Sequence, residues 1–400
     1  MVTIKDGRVS RGATWGLSPS FWALWTAQLV NRVASFAQPF LVLYLTQDRA
    51  VPVSTAGAIS GAVGVGLIVA NIVGGWMSDR IGRKVTIVGG QILTAAALVW
   101  LASADSLTEL WLSAVLVGLG GDLVRPAMSA TVGDIVNADK RVRAYGMLFW
   151  AVNLGFAAAA VSGGFLTRWG YPTLFLVNAL ASIVAGAIIL KGVPETKPNS
   201  SRSRQPFLRP FLRDHGTLIL FVVDTIYSLV YFQAYSTLPL VMSDKHISPA
   251  LYGVVLAVNG VIICFVQPLS LRYLERISPL RVFGGGMLIV GAGFAGTAAA
   301  GEAWHYMVTV AVWTLGEIAV VAVVAAMFAN RAPDAHRGRY MSLVGLALAL
   351  GAALGPALGA GMLEVFGATT LWLSCGAICV AGASLLRFVG ADATTSRTHQ

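Results

Sequence analysis

The sequence predicts an all-α polytopic membrane protein: twelve transmembrane helices in two six-helix pseudo-repeats. Three observations carry that expectation. Of the 400 residues, 56% are hydrophobic and 12% charged, with a mean hydropathy of +0.73, whereas a soluble domain carries about 25% charged residues. Apolar runs of membrane-spanning length recur as six, a polar break, and six more. A constant offset of 196 residues lays glycines and charges of the second half on those of the first. Lipid is therefore the expected solvent for most of the exterior.

Each run is long enough to cross a hydrocarbon core of about 30 Å at about 1.5 Å per residue. The spans are placed at 19–46, 54–78, 84–104, 107–133, 143–167 and 171–191, then 215–242, 249–273, 280–300, 303–329, 339–363 and 368–388. The first run follows Lys5, Arg8 and Arg11, but it is too long for a signal-peptide core and lacks a small-residue cleavage site. It reads as a retained span. The break at 192–214 holds Pro194, Pro198, Pro206 and Pro210 beside serines and arginines at 200–204. Such a stretch reads as a basic cytoplasmic linker. It divides an N-terminal half, 1–191, from a C-terminal half with a short cytoplasmic tail, 215–400.

Charge sets the topology. With both termini on one side, the loops and tails of that side collect 23 Lys and Arg, and the other side has only Arg49, Arg168 and Lys245. Arg32 and Arg125 fall within spans. This asymmetry follows the positive-inside rule and puts both termini in the cytoplasm, as for a multi-pass protein of the cell (plasma or inner) membrane. It also removes the nucleic-acid reading that a net charge of +10 invites, because the basic residues sit in short clusters between apolar runs.

The repeat runs the length of the chain. Gly57 falls on Gly253, Asp79 on Glu275, Arg80 on Arg276, Arg141 and Arg143 on Arg337 and Arg339, Gly155 on Gly351, and Gly163 on Gly359. A parallel repeat of six spans suits two halves that rock about a central site. Cys264, Cys375 and Cys379 all lie in apolar spans and give neither a disulfide framework nor a metal-ligand spacing.

The loop between the second and third spans runs Gly75-Trp-Met-Ser-Asp79-Arg80-Ile-Gly82-Arg83-Lys84. Gly75 permits close helix approach, Asp79 ends a helix near the membrane surface, and Gly82 lets the chain turn sharply. The stretch resembles the signature loop of the major facilitator superfamily at every defining position. That resemblance implies the superfamily's fold over the whole chain. It also implies an inner-face latch of Gly75, Asp79, Arg80, Gly82, Arg83 and Lys84, with Asp134 at the inner end of the fourth span as its partner. The plainer alternative is that Arg80, Arg83 and Lys84 only set topology. The copy at 271–280 keeps only Glu275 and Arg276.

In the fourth span, Arg125-Pro126 with Asp134 nine residues on resembles the arginine motif of proton-coupled exporters in the superfamily. The resemblance implies an arginine that poises a neighbouring carboxylate for proton exchange. Asp122 lies one turn away and shares a helix face with Arg125 and Ser129. A charge at mid-bilayer costs at least about 2.5 kcal/mol, so such residues usually face a cavity, pair, and mark function.

The first span offers Gln28, Asn31, Arg32, Ser35 and Gln38 along an arc of about 120°. Arg32 and Asp122 each lie about 18 Å from the inner end of their span. Equal depth makes an Arg32–Asp122 pair possible, with Arg125 competing, either as a static lock or as titrating, substrate-contacting groups.

In the second half Asp224, Tyr227, Tyr231 and Tyr235 form a stripe, which is either packing or a wall for an apolar cation. Glu317 lies near the midplane with Trp313 one turn away. Carboxylates so placed can exchange protons near neutral pH. Glu317 is therefore the first proton-coupling candidate, with Asp122 second.

The fifth span should carry the antiporter motif of the exporters. Gly155 to Gly164 matches it in part, with Ala159-Ala160 replacing Gly-Pro, and the repeat copy from Gly351 to Ala360 has Gly355-Pro356. Both stretches also read as small-residue packing faces. The sequence has no phosphate-binding glycine loop, no His-Glu-x-x-His, and no intramembrane Gly-x-Ser-x-Gly. The expectation is a transporter and not an enzyme, with no cofactor and no metal. Its partners are the lipid bilayer, protons and a small-molecule substrate, with no nucleic acid, and it acts as a monomer. By resemblance it exports amphiphilic or drug-like compounds by proton antiport. The alternative is a proton symporter for a sugar, peptide or organic acid, with a membrane-embedded enzyme or receptor as a remote third.

Overall fold

The computed structural model describes residues 16–196, 214–332 and 337–395. Lys5, Arg8, Arg11, most of the linker and His336 lie outside the described residues, as do the side chains of Arg337 and Arg339. Among the described residues the chain is helical, with no strand.

The first crossing comes in two pieces, α1 (Pro19–Val33) and α2 (Ala37–Leu43), and α2 runs into a π-helical turn at Tyr44–Asp48. There follow α3 (Val53–Arg80), α4 (Arg83–Ser103), α5 (Leu107–Ile135), α6 (Arg141–Leu166) and α7 (Tyr171–Gly192). The second set begins with α8 (His215–Tyr231) and α9 (Gln233–Asp244), again one crossing in two pieces. It continues with α10 (Pro249–Leu274), α11 (Pro279–Gly296) and α12 (Ala303–Arg331). The final stretch, Arg337–Thr395, is two helices joined at Gly367, whose φ of 78° suits glycine. These are α13 (337–366) and α14 (368–395). Ten described segments are long and apolar enough to span a membrane. The last of them is divided at Gly367, and α1–α2 adds the broken first crossing, which makes twelve.

The breaks in the first and seventh crossings correct the continuous spans expected at 19–46 and 215–242. Pro39 lacks an N–H, and its ring crowds the carbonyl of Ser35, four residues back. The helix opens over residues 34–36. In the seventh crossing α8 and α9 part at Phe232, and the Gln233 side chain takes up freed backbone groups. Its Nε2 donates to the carbonyls of Leu229 and Gly355, each at 2.9 Å. Inside a membrane such groups must find partners within the protein. Phe36 and Phe232 are 196 residues apart, so both copies break at the same place.

Packing follows the repeat. A Cβ added at Gly155 would stand 2.6 Å from Arg32 Cβ, and one at Gly351 would stand 2.6 Å from the Ser228 carbonyl carbon. Arg32 and Ser228 are themselves 196 apart. The antiporter-like stretches thus serve as small-residue seats for α1 and α8. Across the two copies, Gly57 lies against the Pro356 carbonyl and Gly253 against the Ala160 carbonyl, and this pair too obeys the offset. These contacts, with α2 packed on α9, close the membrane face opposite the basic loops. Gln47 Oε1 accepts from Tyr171 Oη at 2.6 Å there, and its Nε2 donates to Ser243 Oγ at 2.7 Å. Among the described residues the inner pieces α1 and α8 do not pack on each other as α2 and α9 do, which leaves the fold open toward the basic face.

On that face Asp214 caps α8. It accepts from Thr217 N at 3.0 Å and Thr217 Oγ1 at 2.5 Å, and Arg331 Nη2 donates to it at 3.0 Å. Partial burial pushes its carboxyl pKa upward, but these donors outweigh it and hold the group below its usual range. A folded-state value below the unfolded one stabilises the protein above the ordinary aspartate pKa of about 3.9. The contribution is lost as pH falls through the lowered value. Asp214→Ala should therefore cost about 1 kcal/mol, the usual worth of a helix cap. Thermal melts in detergent at neutral pH would register it. The difference from wild type should disappear once the pH is well below the carboxylate range.

Candidate functional site

The broken helices meet between the two copies, where a cleft is lined by Gln38, Ser60, Tyr235 and Pro356 from these helices, α3 and α13. On the side of the first copy stand Arg32 of α1 and Asp122 and Arg125 of α5. Arg32 feels the charges of Asp122 and Arg125, and it also lies within electrostatic reach of Tyr231 and Tyr235 on the other wall. The possible Arg32–Asp122 pair is not formed. Asp122 Oδ2 instead accepts from Asn71 Nδ2 on α3 at 2.9 Å. Arg125 Nη1 lies 4.0 Å from Asp122 Oδ1, on a side chain that is 60% exposed. Asn71 already occupies one carboxylate oxygen. Arg32 Nε is left buried without a hydrogen-bond partner among the described residues.

The polar arc of the first crossing divides. Asn31 turns away from the cleft and donates to Gln91 Oε1 on α4 at 3.0 Å and to Ser182 Oγ on α7 at 3.4 Å. An amide in an apolar bundle takes the nearest polar partners. Gln38 is exposed and lines the cleft with Ser60, Tyr235 and Ser236, directly beneath the closed face. Gln28 is half-buried on α1, and Ser35 lies in the break.

The other wall is aromatic and acidic. Tyr227 stacks on Tyr231 with centroids 5.9 Å apart, and the Tyr231 and Tyr235 hydroxyls are 2.7 Å apart. Trp313 backs this stripe instead of lining the cleft. It is 2% exposed, stacked on Phe294 and meeting the Tyr231 ring edgewise. Glu317 is buried, and its Oε2 accepts from Asn259 Nδ2 at 2.6 Å. Asn259 also donates to Thr314 Oγ1 at 3.0 Å. Asp224 is buried too, with Oδ2 lacking a hydrogen-bond partner among the described residues, and Tyr227 feels both carboxylates. Neither Asp224 nor Glu317 forms an ion pair among the described residues.

At the basic face Arg83 pairs with Asp134 and donates to the Ala130 carbonyl at 2.8 Å. Gly82 makes the turn with a φ of 129°. Lys84 is half-buried, Asp79 is exposed, and Arg80 lies over the Trp76 ring. Glu195 accepts from the backbone N–H groups of Lys84 and Val85, each at 3.2 Å, and so caps α4. Gly75 departs from its expected packing role, because a Cβ there would meet nothing within 4 Å. In this open state Gly74 makes the close approach, to Leu123 and Pro126.

Sequence reasoning missed Asn71, Asn259, Gln91 and Glu195. The first three are lone amides within apolar runs, and the rule that intramembrane polar groups seek partners is the signal that marks them.

The sequence profile described as Major Facilitator Superfamily matches residues 24–316 and 220–399. The chain belongs to the major facilitator superfamily. Its relatives include YqjV of Bacillus subtilis (strain 168), an uncharacterized MFS-type transporter 27% identical over 367 residues, with 88% of each chain covered. Multidrug resistance protein MdtH of Cronobacter sakazakii (strain ATCC BAA-894) is 28% identical over 287 residues, 71% of each chain. Among solved structures, the POT family transporter PepTSo matches with a TM-score of 0.81 at 15% identity, over 94% of this chain and 98% of that one. The likeness to PepTSo is one of fold. Major facilitator proteins are multi-pass membrane transporters of small molecules, and this chain is a secondary transporter.

Proposed function

We propose that this transporter exports small amphiphilic, drug-like compounds in exchange for protons. The observation that carries the reading is Glu317: a buried carboxylate on an aromatic wall, held by the neutral amide of Asn259 and by no cation among the described residues. Such a group can take a proton or face an apolar cation, but it gains little from holding both. Mutual exclusion of proton and substrate is what antiport requires. The relative named for multidrug resistance supports the same direction. Asp122, with Arg125 beside it, is the second proton site.

In this reading halves 1–191 and 215–400, joined by the linker 192–214, rock about the cleft in a monomer of the cell membrane. Both termini are cytoplasmic, so the fold described above is open inward. The loop from Gly75 to Lys84 latches the inner face when the outer face opens, and its pair with Asp134, already formed with the inner face open, holds the loop in position. A second reading is symport of an anionic substrate, favoured by the unpartnered Arg32 Nε and the exposed Arg125.

The test uses purified protein in liposomes with an acidic lumen, with the basic face outward. Addition of tetraphenylphosphonium outside should drive protons out of the lumen as the cation enters, read by a pH-sensitive dye. Proton movement in the same direction as the cation, or none above protein-free liposomes, would refute antiport.

A further inference from the structure

Asn71 touches both copies of the repeat. Its Nδ2 donates to Asp122 Oδ2 at 2.9 Å and to the Leu67 carbonyl at 3.0 Å. Its Oδ1 faces α13 of the other copy, where a Cβ added at Gly345 would stand 3.0 Å from it. The α3–α13 seam runs from Gly57 through Gly61 and Gly64 to this point. One turn further toward the basic face, a Cβ added at Gly75 would meet nothing within 4 Å and Trp76 is 48% exposed. Asn71 therefore sits where the two copies part.

We propose that Asn71 is a positioning residue that reports the protonation of Asp122 to the α3–α13 seam. A carboxylate only accepts hydrogen bonds, whereas a carboxylic acid also donates one. With Asp122 charged, Asn71 must offer its NH2 to the carboxylate and so turns Oδ1 toward Gly345. With Asp122 protonated, the acid donates to Oδ1, and the amide turns over, gives up the Leu67 carbonyl and presents NH2 to α13. The seam then meets a donor where it had met an acceptor, at the fork between the copies. The charged groups facing Asp122 are Arg125 on its own helix and Arg32 on α1. Asn71 is the neutral contact from α3. The inference rests on the reading of Asp122 as a proton site.

Spin labels at Asp139→Cys and Ile277→Cys, with the three native cysteines replaced, measure the opening of the basic face as pH is varied. Asp122→Asn and Asn71→Leu should each move the midpoint of opening, by about one pH unit, a tenfold effect within the usual range of coupling between sites. The double variant should move it no further. If Asp122→Asn leaves the midpoint unchanged, the proton-site reading fails and this inference falls with it. If Asp122→Asn moves the midpoint but Asn71→Leu does not, the inference alone fails. Gly345→Ala probes the same contact without altering the amide. It should shift the midpoint in the wild-type background and not in Asp122→Asn, and an equal shift in both would overturn the proposal.

Discussion

Glu317→Gln should reduce proton-driven substrate accumulation to none. One pH unit across the membrane stores about 1.4 kcal/mol per proton, enough to sustain about a tenfold substrate gradient. Without the titrating group, that ratio should fall to about one in liposomes, while downhill exchange of a labelled uncharged substrate, which needs no counter-charge, continues. The substitution is close to isosteric. Asn259 Nδ2, now 2.6 Å from Glu317 Oε2, can donate equally to the amide oxygen of glutamine. Loss of coupling therefore cannot be assigned to a collapsed site, and unchanged downhill exchange is the internal control. A variant that still builds the tenfold gradient would remove Glu317 from the coupling role. Asp122 and Asp224 would then be the remaining buried carboxylates among the described residues.

The parts of this architecture that depend on length and local pattern were readable in the sequence. Span lengths follow from apolar runs, and the turn at Gly82 from a glycine just ahead of Arg83 and Lys84. The 196-residue offset also foretold which glycines do equivalent work, since Gly57 and Gly253 meet equivalent carbonyls. What depends on the direction of a side chain across helices was not readable. Equal depth made an Arg32–Asp122 pair plausible, but depth says nothing about a third helix, and Asn71 on α3 reaches the carboxylate. Asn31 shared an arc with Arg32, yet it sits close enough to α4 and α7 to turn inward to Gln91 and Ser182. The breaks were half visible. Pro39 marks the first, but at Phe232 no proline stands four residues on, and the Gln233 side chain that mends the second is in contact with another helix. The role of Gly75 belongs to one conformation, which a sequence does not specify.

Gly57→Leu should trap the protein with its closed face open. A Cβ at Gly57 would stand 2.6 Å from the Pro356 carbonyl oxygen and closer still to Ala360 Cβ. The first obstacle is backbone, which does not yield by changing rotamer, so the face can close only by prising α3 from α13. Overpacking of this kind costs about 1–3 kcal/mol, which converts to a shift of roughly 5- to 150-fold between two states. Transport should fall in proportion, while the protein remains folded in detergent.

Gln38, exposed in the cleft beneath the closed face, supplies the readout. With Gln38→Cys as the sole reactive thiol, a membrane-impermeant maleimide applied from that face should label the Gly57→Leu protein fast and the parent slowly. Gly253→Leu should repeat the result, because Gly253 meets the Ala160 carbonyl by the same geometry in the other copy. Gly75→Leu should not repeat it, since space is open around that residue in the present state. If either seam variant folds and labels no faster than the parent, the Gly57–Pro356 and Gly253–Ala160 contacts are not what closes this face. The weight would then shift to the α2–α9 contact around Gln47 and Ser243.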